Sequence, residues 1–166
     1  MSAVAAVAIM LGLCGCSGAK VPPERNLDQS WEEVKASTQA MEREVAALVP
    51  DKDVVRVDQN EKGGLFSCDE ARHRWTGITT VTLVPGVEIE SLLKTLEDQI
   101  ADALHHRGEF TVSHRRDIFG DYALTAQSKT TGEAVLLGQG DEGTIVIDSW
   151  SVCFTLPEGT YPGGDF

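Results

Sequence analysis

From Glu109 onward the chain is cut into short stretches dense in β-branched and apolar residues, each closed by turn-forming residues. This pattern constrains the fold more than any other feature. The stretches run Glu109 to Arg116, Tyr122 to Ser128, Glu133 to Gly138 and Thr144 to Phe154, divided by Gly120-Asp121, Thr131-Gly132 and Gly140 to Gly143. Connections this short reverse the chain, so the strands are expected to be hairpin-linked neighbours.

Two upstream segments follow a helical period instead. Ser30-Trp31-Glu32-Glu33 has the form of a capping box, in which the Ser30 hydroxyl accepts from the Glu33 amide and the Glu33 carboxylate reaches back. Trp31, Val34, Thr38, Met41, Val45 and Leu48 then recur on one face until Pro50 ends the segment. A stronger stripe, Ile89, Leu92, Leu93, Leu96, Ile100, Ala103 and Leu104, lies between Pro85-Gly86 and Gly108. Between the helices, Asp53 to Asp58 alternates apolar with polar residues, Gly63-Gly64 marks a turn before Leu65 to Cys68, and Trp75 to Val84 is dense in Thr, Val and Ile. This order predicts an α+β two-layer domain, with an antiparallel or mixed sheet carrying two helices on one face. The domain is expected over 27–156, followed by a Pro/Gly-rich tail, 157–166, that is ordered first and then frays.

The amino terminus has another character. The uncharged apolar run Ala3 to Leu13 is short for a membrane span, and Leu13-Cys14-Gly15-Cys16 closes it in the pattern of a lipoprotein signal. Cys16 is the better lipid acceptor, because Cys14 would have Leu13 beside its scissile bond. The reaction requires a nucleophilic sulfur, and several acyl chains give an anchoring that one chain cannot. No Lys or Arg lies between Met1 and Cys16, a departure from the charged start of most such signals. Residues 1–15 are thus read as a leader and 16–26, with Ser17-Gly18-Ala19-Lys20-Val21-Pro22-Pro23, as a lipidated flexible tether. The implied location is the outer face of the cytoplasmic membrane, with the membrane itself as a partner through Cys16.

The leader holds no ionisable side chain, so all 14 basic and 26 acidic residues and the net charge of −12 stay with the mature chain. That balance argues against nucleic acid as a partner. With Cys14 removed and Cys16 consumed by lipid, Cys68 and Cys153 remain in an oxidising setting and are expected to pair. A reactive thiol or a two-cysteine metal site is the alternative, and no nearby Cys or His completes a ligand set for it.

With these landmarks in place, the chain resembles the LppA-type lipoproteins of mycobacteria and related actinobacteria. The likeness rests on the lipobox, Ala46-Ala47-Leu48-Val49-Pro50, Gly64-Leu65-Phe66-Ser67-Cys68, and Ser151-Val152-Cys153-Phe154 followed by Leu156-Pro157-Glu158-Gly159. The resemblance implies an envelope lipoprotein with paired cysteines, and it supplies no catalytic residue.

Two basic islands stand out in this acidic chain, Arg72-His73-Arg74 and His114-Arg115-Arg116, both near strand ends. If their strands are neighbours, Arg72, Arg74, Arg115 and Arg116 would offer guanidinium forks to a phosphate or carboxylate. The alternative is pairing with surface carboxylates. His105 and His106 are adjacent, so they point about 100° apart on a helix and suit capping of its last carbonyls better than metal binding. Gly-x-Ser-x-Gly is absent, Asp51-Lys52-Asp53 and Asp141-Glu142 lack a calcium-loop ligand set, and Gly138-Gln139-Gly140 opens no helix. The reading is therefore a non-enzymatic binding or interaction domain for an unknown ligand or envelope protein, with no cofactor, catalytic group or metal assigned. The alternative is a small metal-dependent or hydrolytic envelope enzyme using His73, His114 and nearby acids.

Overall fold

The computed structural model describes residues 29–166; the expected leader, Cys16 and tether lie outside them. The capping box is formed: Ser30 Oγ accepts from the Glu33 amide at 3.3 Å and the Glu33 carboxylate accepts from the Ser30 amide at 3.0 Å. Helix α1 (Trp31–Ala46) starts there and buries Val34, Thr38, Met41 and Val45, the expected stripe, together with Glu42. A single 3₁₀ turn, Asp51–Asp53, leads into β1 (Val54–Gln59), followed by β2 (Gly64–Ser67) and β3 (Arg72–Leu83). Helix α2 (Ile89–Ala103) passes through a 3₁₀ turn at His105–Arg107 into β4 (Phe110–Arg116), β5 (Tyr122–Ser128), β6 (Ala134–Gln139), β7 (Thr144–Trp150) and β8 (Phe154–Thr155).

Every strand pairing is antiparallel, and the sheet runs β1-β3-β7-β6-β5-β4, with β2 and β8 also paired to β3. Strand β3 begins three residues before the expected Trp75, because Arg72 and His73 find partners in Thr155 and Phe154 of β8 and His73 to Thr76 pair with β2. The expected stretch Thr144 to Phe154 divides in two where Ser151 turns across the sheet: its hydroxyl accepts from the Trp75 amide at 2.8 Å and its own amide donates to Trp75 O.

Side chains alternate across the sheet. Trp75, Thr79, Val81 and Leu83 of β3, Ile145, Ile147 and Ser149 of β7, and Leu124 and Ala126 of β5 are buried beneath the two helices. Leu93, Leu96, Ile100 and Leu104 of the α2 segment and Met41 and Val45 of α1 close that core from above. The opposite face, with Thr76, Ile78, Thr80, Val146, Asp148 and Trp150, has no layer over it among the described residues. This is the two-layer α+β arrangement, with a wholly antiparallel sheet.

The tail corrects its expected fraying. Phe166 is buried with Val34, Trp75 and Phe154, packs edge-on against Trp31 at 5.3 Å, and exchanges both backbone hydrogen bonds with Gly63. The Trp75 indole N–H also donates to Phe166 O at 3.2 Å, so residues 157–166 belong to the domain. Both helices, the strands, the disulfide and the core close upon one another within 29–166.

Candidate functional site

Cys68, just past β2, and Cys153, just before β8, flank the start of β3 and are joined by a disulfide with Cα atoms 6.2 Å apart. β3 sits between the two half-cystines, which is why residues 85 positions apart in sequence meet. Arg74 projects from that part of β3 on the uncovered face. Its Nε donates to Cys68 Sγ at 3.4 Å and its Nη2 to Cys153 Sγ at 3.7 Å, while the guanidinium lies over the Trp150 ring at 5.4 Å. Phe66, directly across from Arg74 in register, is exposed, and Trp150 is 42 % exposed. The result is a guanidinium held between an aromatic ring and the disulfide sulfurs, with no carboxylate among its partners in the described residues.

The other basic residues are placed differently. Arg72 is committed to Asp69, through Nε and Nη2 at 2.7 Å. Arg116 makes a bidentate pair with Glu90 of α2, at 2.7 and 2.8 Å, and lies over the Tyr122 ring. With Lys94 on the same carboxylate at 2.8 Å, Glu90 is held down to about 2, the Arg116 hydrogen bonds being the largest cause. Arg115 points to the uncovered face, across from Ala123. The expected convergence of the two islands does not occur: β7, β6 and β5 separate β3 from β4, a lateral distance of about 19 Å at ordinary strand spacing. The four arginines do not form one site, because the strand order interposes three strands that sequence order does not reveal.

The same separation parts His73 from His114. His73 Nδ1 is buried without a hydrogen-bond partner among the described residues, whereas His114 Nδ1 contacts Glu97 at 2.8 Å and its ring stacks on Tyr122 at 5.0 Å. The Tyr122 hydroxyl also donates to Glu97, which lowers the Glu97 carboxyl and pushes the phenol up to about 12. His105 and His106 contact the carbonyls of Asp102 and Ala103 at 2.6 and 3.1 Å, at the end of α2. No group of three or more His, Cys, Asp or Glu side chains able to hold a metal occurs among the described residues, and no described helix is long and apolar enough to cross a membrane.

Sequence reasoning missed a buried polar cluster beneath the helices. Glu42 is wholly buried and accepts from Gln59 Nε2 at 2.7 Å, from Thr79 Oγ1 at 2.6 Å and from the Ser149 hydroxyl. Gly77 is required beside it, since a Cβ there would stand 2.6 Å from Glu42 Oε1 and 2.2 Å from the Trp75 ring. In sequence Glu42 lies in the charged run Glu42-Arg43-Glu44, which reads as solvated; its three donors come from β1, β3 and β7. On the other side of β7, between Ile78 and Leu136, Asp148 has a raised pKa because burial strips its water and the Glu42 carboxylate adds repulsion. The described surface also carries two shallow depressions. One of about 190 Å³ lies among Val34, Ser37, Arg107 and Glu133, and one of about 170 Å³ lies on the uncovered face over Ala123 and Gly138, between Arg115 and Asp148.

Comparison with protein-family models, with curated proteins and with solved structures yields no match.

Proposed function

We propose that this chain is a lipid-anchored envelope protein of the LppA type, held by Cys16 at the outer face of the cytoplasmic membrane, whose domain binds an anionic group without catalysis. The observation that carries the binding reading is Arg74, a guanidinium with no carboxylate partner among the described residues of a chain of net charge −12, fixed over Trp150 and against the disulfide. A guanidinium so oriented offers its remaining N–H groups to a phosphate or carboxylate at little further entropic cost. Trp150 and the exposed Phe66 beside it supply apolar contact for whatever carries the charge. Anchoring raises the effective concentration of this surface for anything else confined to the membrane layer.

Titration of a chain beginning at Ser17 with inorganic phosphate, polyphosphate and phosphatidylglycerol vesicles, following the tryptophan emission that Trp150→Phe removes, distinguishes a small anion, a polymer and a lipid headgroup as the source. At least one probe is expected to saturate the signal, with Arg74→Gln weakening it about tenfold or more and Lys52→Gln, on the exposed turn before β1, leaving it unchanged. Equal affinity in Arg74→Gln, or no response to any probe, contradicts the binding reading. Cys16→Ser tests the anchor separately: the protein is expected to move from membranes to the soluble exported fraction, and full retention contradicts the lipid attachment.

A further inference from the structure

The hairpin joining β4 to β5 carries the two most exposed large apolar side chains among the described residues, Ile118 at 90 % and Phe119 at 83 %. The turn that presents them is braced. Asp117 Oδ1 accepts from the amides of Phe119 at 2.8 Å and Asp121 at 2.9 Å, and the Asp117 amide donates to Asp121 O at 2.9 Å. Gly120 closes the reversal at φ +88°, a conformation that favours glycine. Arg116, clamped to Glu90, donates to Gly120 O at 3.2 Å. Two apolar side chains are thus held outward on a fixed support.

The geometry points to insertion of this tip into the interfacial region of a lipid bilayer, as a second attachment beside the lipid on Cys16. Two side chains cover only a few hundred Å² when fully buried, below the roughly 800 Å² per partner of a stable protein interface. A membrane asks for less, because a weak insertion adds to an existing anchor. Reach permits it. The tip lies at the end of the sheet opposite the Trp31, Trp75 and Phe166 cluster where α1 begins, about 30 Å away diagonally by strand spacing and rise. The thirteen Cα-to-Cα steps from Cys16 to Gln29 can span at most about 45 Å, so lipid and tip can engage the same plane. Arg115 and Arg116 balance Asp117 and Asp121 at the tip, while Asp141 and Glu142 occupy the β6–β7 turn at the same end. Apolar burial rather than charge attraction drives insertion, and a zwitterionic bilayer is a better host than an anionic one.

The inference leans on the proposed anchor only for its second attachment, and the test omits that anchor. A chain beginning at Ser17 is sedimented with phosphatidylcholine vesicles, in parallel with Ile118→Asp/Phe119→Asp. The wild-type tip is expected to partition measurably and almost independently of salt, with the double variant weaker by about tenfold or more. Phe119→Trp is expected to add blue-shifted emission that brominated phosphatidylcholine quenches. Equal partition of wild type and double variant, no vesicle binding at all, or added emission from Phe119→Trp that bromine leaves untouched overturns the proposal. Dimers in the ultracentrifuge that the double variant dissolves would assign the tip to a second copy and overturn it equally. Loss of the Cys16 lipid in the native protein would undo the anchor and leave this readout as it stands.

Discussion

The two faces of the sheet are built from the same strands, residue by residue in alternation, yet they differ in what holds them. Ile147 of β7 is wholly buried beneath the helices, whereas Ile78 on the adjacent β3 is 41 % exposed on the other side. The covered face gathers Leu, Ile, Val and aromatic residues, and the carboxylate it buries, Glu42, is met by three donors. The open face mixes Thr with isolated apolar side chains and keeps charges with no ion-pair partner among the described residues, Arg74 over Trp150 and Asp148 between Ile78 and Leu136. One layer thus carries the stability of an antiparallel sheet, while the other stays uncovered among the described residues.

The division can be broken or sharpened by substitution. The largest effect is expected at the disulfide: Cys68→Ser with Cys153→Ser opens a loop of 85 residues and should cost about 4 to 5 kcal/mol in the chain-entropy account, read by denaturant unfolding. Next come the two isoleucines, where Ile147→Ala should cost about 2 to 5 kcal/mol and Ile78→Ala under about 1 kcal/mol; similar costs would erase the distinction between the faces. Third, Glu42→Gln keeps the shape but sets an amide N–H₂ against groups that donate to a carboxylate, at a cost of about 1 to 3 kcal/mol.

The smallest effects are electrostatic and opposite in sign. Glu90, held down to about 2 chiefly by Arg116, stabilises the fold when ionised; that contribution is present above the ordinary value of 4.5 and is lost as pH falls toward 2. Asp148, raised by burial, opposes folding when ionised, so its penalty is relieved as pH falls. Asp148→Asn should therefore raise Tm slightly at neutral pH, and Arg116→Gln should raise the Glu90 midpoint in carboxyl NMR titrations. A Tm lowered by Asp148→Asn would mean that this carboxylate has a partner the open face does not display.

What could be read from sequence was what local physics controls. The capping box at Ser30, the α2 stripe, the carbonyl contacts of His105 and His106 and most strand limits follow from neighbours a few residues apart. The cysteine pair followed from counting thiols. Strand order did not, since it depends on which distant edges meet, and the same unknown hid the separation of Arg74 from Arg115, the donors around Glu42 and the pairing of Phe66 with Arg74. The alternation of β7 does put Trp150 in phase with Asp148, but only the register of β3 against β7 brings Arg74 over its ring. The return of Phe166 to Trp75 was masked by the Pro and Gly around it, which speak for local backbone freedom and not for where the chain finally packs.

The most direct test of a binding open face backed by a stabilising covered one is amide chemical-shift mapping of the chain beginning at Ser17 while polyphosphate is added. Perturbations are expected to cluster at Phe66, Arg74, Thr76 and Trp150. Perturbations confined instead to Glu90, Lys94 and Arg116 on the helix side would contradict it.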